Sequence, residues 1–182
     1  MKLLREYIRE LLVENKLRIF DFDDTLAITD SMIILNKASG EQVKQTPGEW
    51  AVYKPQPGDE FDYSEFGGEL KNPREIKDYT DILRRVLGAG TDGRKAVILT
   101  ARAEAARQGI INFLEDLGID TGNIELVTLG DSDPQTKARW IEEKINDGYD
   151  DVYFADDSDK NIKAVQALAD KYPTVKLRAQ LV

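Results

Sequence analysis

The chain has 182 residues, 41% of them apolar and 32% charged, which suits one domain with a full core and a small insertion. It contains no cysteine and no histidine, which excludes a disulfide framework, thiolate or imidazole metal sites, and Ser-His-Asp or Cys-His catalysis. A net charge of −9 disfavours an extended track along nucleic acid but leaves recognition of a single terminal phosphate open, and no apolar run approaches the ~20 residues that would span a membrane.

Residues 2–14 carry Leu3, Leu4, Tyr7, Ile8, Leu11 and Leu12 at helical spacing, with charged residues on the other face. This is an amphipathic helix, too charged for the apolar core of a secretory signal. A second reading is a leader: Leu12-Val13-Glu14 resembles the end of the short leaders of tailed-phage head proteins, which are clipped after a Leu-x-Glu site. Residues 1–14 therefore stand apart from a domain over 15–182.

Next comes LRIFDFDDTL, Leu17 to Leu26. Leu17, Ile19, Phe20 and Phe22 read as a short buried strand running into Asp21, Asp23 and Asp24. Asp21 and Asp23 are two apart, so an extended chain points both to one side. Two carboxylates at one point repel unless a cation binds between them, and Mg²⁺ is the hard cation suited to oxygen ligands. The plain alternative is a solvated acidic turn.

Residues 31–71 form an insertion. Met32 to Leu35 is apolar, Asn36 to Pro47 is polar with Gly40 and Pro47 as breakers, and Glu49 to Lys54 (EWAVYK) is aromatic and β-prone. A β-hairpin or flap is expected, followed by an irregular loop that Phe61, Tyr63 and Phe66 anchor. Ordered loops of this length serve as lids or binding loops, or as plain structural insertions.

Asn72-Pro73 reads as an N-cap with proline at the first helical position, opening a helix whose apolar face is Ile76, Tyr79, Ile82, Leu83, Val86 and Leu87. Ala96 to Leu99 is a buried strand that delivers Thr100. Ala103 to Leu117 is a helix stopped by Gly118. Ile124 to Thr128 is a third strand, and Asp133-Pro134 caps a helix with Lys137 in its first turn. Val152 to Ala155 is a fourth strand leading into Asp156-Asp157. A last helix buries Ile162, Val165, Leu168 and Ala169, and Thr174 to Arg178 is a fifth strand.

Continuous apolar strands alternating with helices predict an α/β fold of three layers, Rossmann-like, with a parallel five-stranded sheet and a small β-rich cap. Ligands of such sheets bind at the carboxyl ends of the strands. That edge collects Asp21, Asp23, Thr100, Asp156 and Asp157, with Lys137 opening the helix before the fourth strand. Singly, each has a structural explanation. Together they form a phosphate site with a metal: Mg²⁺ among Asp21, Asp156 and the main-chain carbonyl of Asp23, and the phosphoryl oxygens on Thr100 and Lys137.

These segments resemble the four motifs of the haloacid dehalogenase (HAD) superfamily of phosphohydrolases. DFDDTL matches D-x-D-x-T, ILTAR the strand ending in threonine, Lys137 the third motif 19 residues before the fourth, and FADDSDKN the acidic fourth. The resemblance spans residues 17–161 and implies roles. Asp21 would attack phosphorus and form an aspartyl-phosphate, and Asp23 would be the acid and base. Asp156 would bind Mg²⁺, and Asp157 would assist directly or through water. Asp24 would be a neighbour only. Arg102, two past Thr100, would contact substrate or make a surface salt bridge.

The insertion of about 40 residues is smaller than a full helical cap of that superfamily, so a fairly open site is expected. In this the chain is similar to compact phage-type phosphatases, including the 3′-phosphatase part of polynucleotide kinase-phosphatases. A nucleotide, a sugar phosphate and a polynucleotide end all fit as substrate. The location implied is cytoplasmic, in a host cell or, for a phage protein, in the virion. The alternatives to catalysis are a metal-binding interaction module and a packaged phage-head protein.

Overall fold

The computed structural model describes residues 15–90 and 93–182, and the segment 2–14 lies outside them. From the amino end come β1 (Lys16–Phe20), β2 (Ala27–Ile28), β3 (Ile33–Asn36), β4 (Gln42–Gln45), α1 (Pro47–Val52), β5 (Glu60–Asp62), β6 (Arg74–Glu75) and α2 (Lys77–Gly88). There follow β7 (Arg94–Thr100), α3 (Arg107–Asp116), β8 (Ile124–Thr128), α4 (Pro134–Asn146), β9 (Asp151–Asp156), α5 (Asp159–Gln166), α6 (Leu168–Lys171) and β10 (Lys176–Leu181).

The central sheet has the order β10-β9-β1-β7-β8, and every neighbouring pair is parallel. Side chains alternate across it. Phe20 and Ile98 go to one face, against Leu83, Ile110 and Leu114 of α2 and α3. Leu17, Ile19, Val97 and Leu99 go to the other, against Ile141 of α4 and Ile162 and Val165 of α5. Each such fully buried side chain contributes roughly 1.5–3 kcal/mol. The result is the three-layer α/β architecture expected from the alternation of strands and helices.

After β1 the chain leaves to form β7 on one side, while β9 lies on the other. The crevice at the carboxyl ends of β1 and β9 is thus a topological switch point. Asp21 follows β1 and Asp156 ends β9, one on each side of it.

The insertion is a three-stranded antiparallel sheet, β4-β3-β5, with α1 beside it. Its base is pinned where the Asp30 N–H donates to the Lys71 carbonyl at 2.8 Å and Arg74 pairs with Asp30 at 2.9 Å. Three local expectations are corrected. EWAVYK is helical over its first four residues, because Thr46 caps α1 and the Glu49 carboxylate accepts from the Thr46 N–H, a complete capping box. Asn72 is not an N-cap: its φ is +44°, Arg74–Glu75 pair with β2, and α2 starts four residues after Pro73, at Lys77. The loop beyond Lys54 contains β5 and a 3-10 turn at Ser64–Phe66. Smaller shifts are that Glu104–Ala106 is a 3-10 turn before α3, the last helix divides at Ala167, and the fifth strand begins at Lys176.

Candidate active site

The turn after β1 sets the site. The Phe22 carbonyl accepts from the N–H groups of Leu26 and Ala27 at 2.9 and 3.0 Å, and Asp24 sits at φ +52°, a left-handed conformation that aspartate tolerates better than most residues. Phe22 is fully buried in the core, while Asp21 and Asp23 on either side of it both line a cleft of about 600 Å³. Alternation along LRIFDFDD has therefore carried through.

Lys137 is 3% exposed, and its ammonium lies 2.8 Å from Asp21 Oδ1 and 2.7 Å from Asp156 Oδ2. Its helix starts as expected, with the Asp133 side chain accepting from the Gln135 N–H and proline at the first position. Asp156 is fully buried and held in place: its carboxylate also accepts from the Ser158 N–H at 2.8 Å and from Asn161 Nδ2, shared between its two oxygens at 2.9 and 3.0 Å. Asn161 lies inside FADDSDKN. Its position five residues beyond Asp156, on the first turn of a helix that Ser158 caps, is the signal that marks it.

Oxygens of Asp21, Asp156 and Asp157 all lie within 4.8 Å of one another. Burial raises the Asp21 carboxyl well above its ordinary value, Lys137 opposes that, and Asp156, Asp157 and Asp23 add to it. Burial alone would lower Lys137, but the charges of Asp21 and Asp156 raise it, so it stays an ammonium. Asp157 is pushed up to about 7 by burial and then by the charges of Asp156 and Asp24. Three carboxylates thus face one ammonium, with negative charge in excess. The donors are hard oxygens, and the residues fit a divalent cation of the Mg²⁺ type.

Asp23 is not part of that cluster. Arg102 donates Nε to its Oδ2 at 2.8 Å and Nη2 to its Oδ1 at 2.7 Å, a bidentate fork. The same Nη2 reaches Thr29 Oγ1 at 3.0 Å and Ser31 Oγ at 3.3 Å, and the guanidinium lies over the Phe66 ring at 4.7 Å. At 1% exposure Arg102 makes no surface salt bridge, and its Nη1 is buried without a hydrogen-bond partner. Thr100 is fully buried at the end of β7, and its hydroxyl accepts from the Arg102 N–H at 3.2 Å.

The structure therefore gathers Asp21, Asp23, Lys137, Asp156 and Asp157 around one crevice, with Thr100 buried at its sheet edge. The insertion supplies the opposite wall through Ile33, Pro47, Trp50, Tyr63 and Phe66, so the site is roofed on that side. The sequence marks Tyr63 and Phe66, with Phe61, as anchors of a packed loop and Trp50 as part of a β-prone stretch, and it assigns no role to Thr29, Ser31 or Asn161.

No protein-family model matches the chain, and no curated protein does. Among solved structures, it is similar to the HAD domain of effector protein Lem4 from Legionella pneumophila, at 14% sequence identity and a TM-score of 0.53, over 92% of this chain and 85% of that one. At that identity the likeness concerns the fold: the chain has a HAD-like, Rossmann-like α/β architecture.

Proposed function

We propose that the chain is a Mg²⁺-dependent phosphomonoester hydrolase that works through a phosphorylated Asp21. The observation that carries this reading is the convergence, at the switch point of the sheet, of Asp21, Lys137 and Asp156 at 2.7–2.8 Å beside Asp157 and the Arg102-held Asp23.

Asp21, Asp156 and Asp157 would hold the cation, with the main-chain carbonyl of Asp23 as a further oxygen, and the bound ion would neutralise and orient the phosphoryl group. Lys137 offsets the carboxylates and offers a donor to the phosphoryl oxygens. Thr100 would add its hydroxyl, which can donate while accepting from Arg102. An oxygen of Asp21 attacks phosphorus as the bond to the leaving oxygen breaks, and Asp23 gives that oxygen its proton. Water then attacks phosphorus and returns a proton to Asp23, and the bond from Asp21 to phosphorus breaks. Arg102 donates to each Asp23 oxygen and the Thr29 hydroxyl donates to Oδ1 as well at 3.3 Å, which leaves the second lone pair of Oδ2 for the proton.

Phosphate release from p-nitrophenyl phosphate tests the reading. Turnover is expected with Mg²⁺, none with EDTA, and none in Asp21→Asn. A folded Asp21→Asn variant with full metal-dependent activity would remove Asp21 as nucleophile.

A further inference from the structure

The roof of the cleft carries an inference about the substrate, which rests on the phosphatase reading above. Four aromatic rings of the insertion pack together: Trp50 meets Tyr63 edge-to-face at 5.9 Å and Phe61 at 6.4 Å, while Phe61 meets Tyr53 at 6.1 Å and stacks on Tyr63 at 6.3 Å. Were this only a small core, the rings would be sealed from the cleft. Instead they divide into two layers. Trp50 and Tyr63 line the cleft, and Tyr63 is 38% exposed; Tyr53 and Phe61 stand behind and do not line it. A backed pair of rings, partly open in the cleft that Asp21 also lines, is a preformed surface for a flat ligand group, because aromatic faces and edges recognise planar rings at little ordering cost.

One contact ties this roof to the phosphate side: Lys160, just after the acidic loop of β9, lies over the Trp50 ring at 5.6 Å. Lys160 is exposed, so its contact is weak beside that of a stacked base and can yield to it. The remaining rim is acidic, with Asp131 and Asp133 lining the cleft. That rim and the net charge of −9 disfavour a polyanion and favour a small ester. The cleft volume of about 600 Å³ is that of a small-molecule site.

We infer that Trp50 and Tyr63, set perpendicular to each other, form a platform for the base of a mononucleotide in which one ring offers its face and the other its edge, and that the substrate class is nucleoside monophosphates. The phosphate would sit against Lys137 and Asp21, with the base against the roof.

The test compares adenosine 5′-monophosphate with ribose 5-phosphate, which has the same phosphate and sugar but no base. Trp140→Phe leaves Trp50 as the single tryptophan, excited selectively over the tyrosines. Quenching by the nucleotide is expected at concentrations where ribose 5-phosphate has no effect. In wild type, kcat/KM for the nucleotide should exceed that for ribose 5-phosphate by about tenfold or more. Trp50→Leu and Tyr63→Leu, shown to be folded by circular dichroism, should bring kcat/KM for the two substrates near parity. Phe61→Leu, in the backing layer, should keep a larger preference than either. Equal quenching by both ligands, or an unchanged ratio in Trp50→Leu, would overturn the platform. Turnover of a 3′-phosphorylated oligonucleotide well above that of the mononucleotide would overturn the substrate class. Selective quenching without turnover of any ester would keep the platform and remove the hydrolase reading instead.

Discussion

Arg102 shows how much one side chain decides at this site. It is fully buried, and it holds both oxygens of Asp23 while resting under Phe66 of the insertion. Lysine keeps the charge but cannot reproduce a fork, so the exchange is not conservative here. In Arg102→Lys, Asp23 loses its fixed position. We expect kcat for phosphate release to fall about a hundredfold with KM little changed. A fall confined to KM would mean that Arg102 serves ground-state binding alone. Lys137 supports a second expectation. Lys137→Met leaves Asp21 and Asp156 buried without their common partner, which costs on the order of 3–5 kcal/mol. Added Mg²⁺ should raise the melting temperature of this variant more than that of wild type, because the cation replaces the missing charge. Equal shifts would show that cation and ammonium act at separate places. The residue types of both positions were legible in the motifs, but their partners were not. Nothing within a few residues of Arg102 indicates Asp23, which lies 79 positions away.

Among the elements, the insertion is where local sequence and structure part. Thr46-Pro47-Gly48-Glu49 carries a capping box, and that signal outweighs the β-propensity of the aromatic residues after it. The same rings then became a wall of the site, which propensity cannot foretell because it depends on how the neck at Asp30, Lys71 and Arg74 sets the insertion over the sheet. Gly118, in contrast, was legible: it takes φ +71° as the residue after the Leu117 C-cap of α3, where a left-handed residue closes the last turn. Glu65 is the electrostatic tie of the insertion. Its carboxylate is held down to about 2 by hydrogen bonds from Lys71, then from the Met32 N–H, and from Lys44. Because the folded value lies below the ordinary one, the tie is complete above about pH 4.5 and fades as pH falls toward 2. Glu65→Gln should therefore lower the melting temperature at pH 7, and the gap from wild type should close by pH 2. A gap independent of pH would assign the loss to packing rather than to charge.

For the molecule as a whole, the alternation of strands and helices made the parallel sheet legible, and the rule for strand ends made the crevice legible. The strand order placed β9 beside β1, which is what brings Asp156 to Asp21 although 135 positions separate them. The excess of carboxylate over ammonium at that crevice is a property of the assembled sheet, not of any one motif. On the proposed function, it is also the reason that a cation would accompany an anionic ester there.

The most direct test is to find the phosphorylated residue. Wild-type protein turning over with Mg²⁺ would be quenched, reduced with borohydride to convert an acyl phosphate to homoserine, and digested for mass spectrometry. If Asp21 is the nucleophile, homoserine appears at position 21 and at no other, and Asp21→Asn shows none. Reduction at another carboxylate, or phosphate release by wild type with no reduced residue under any quench, would contradict a phosphorylated Asp21.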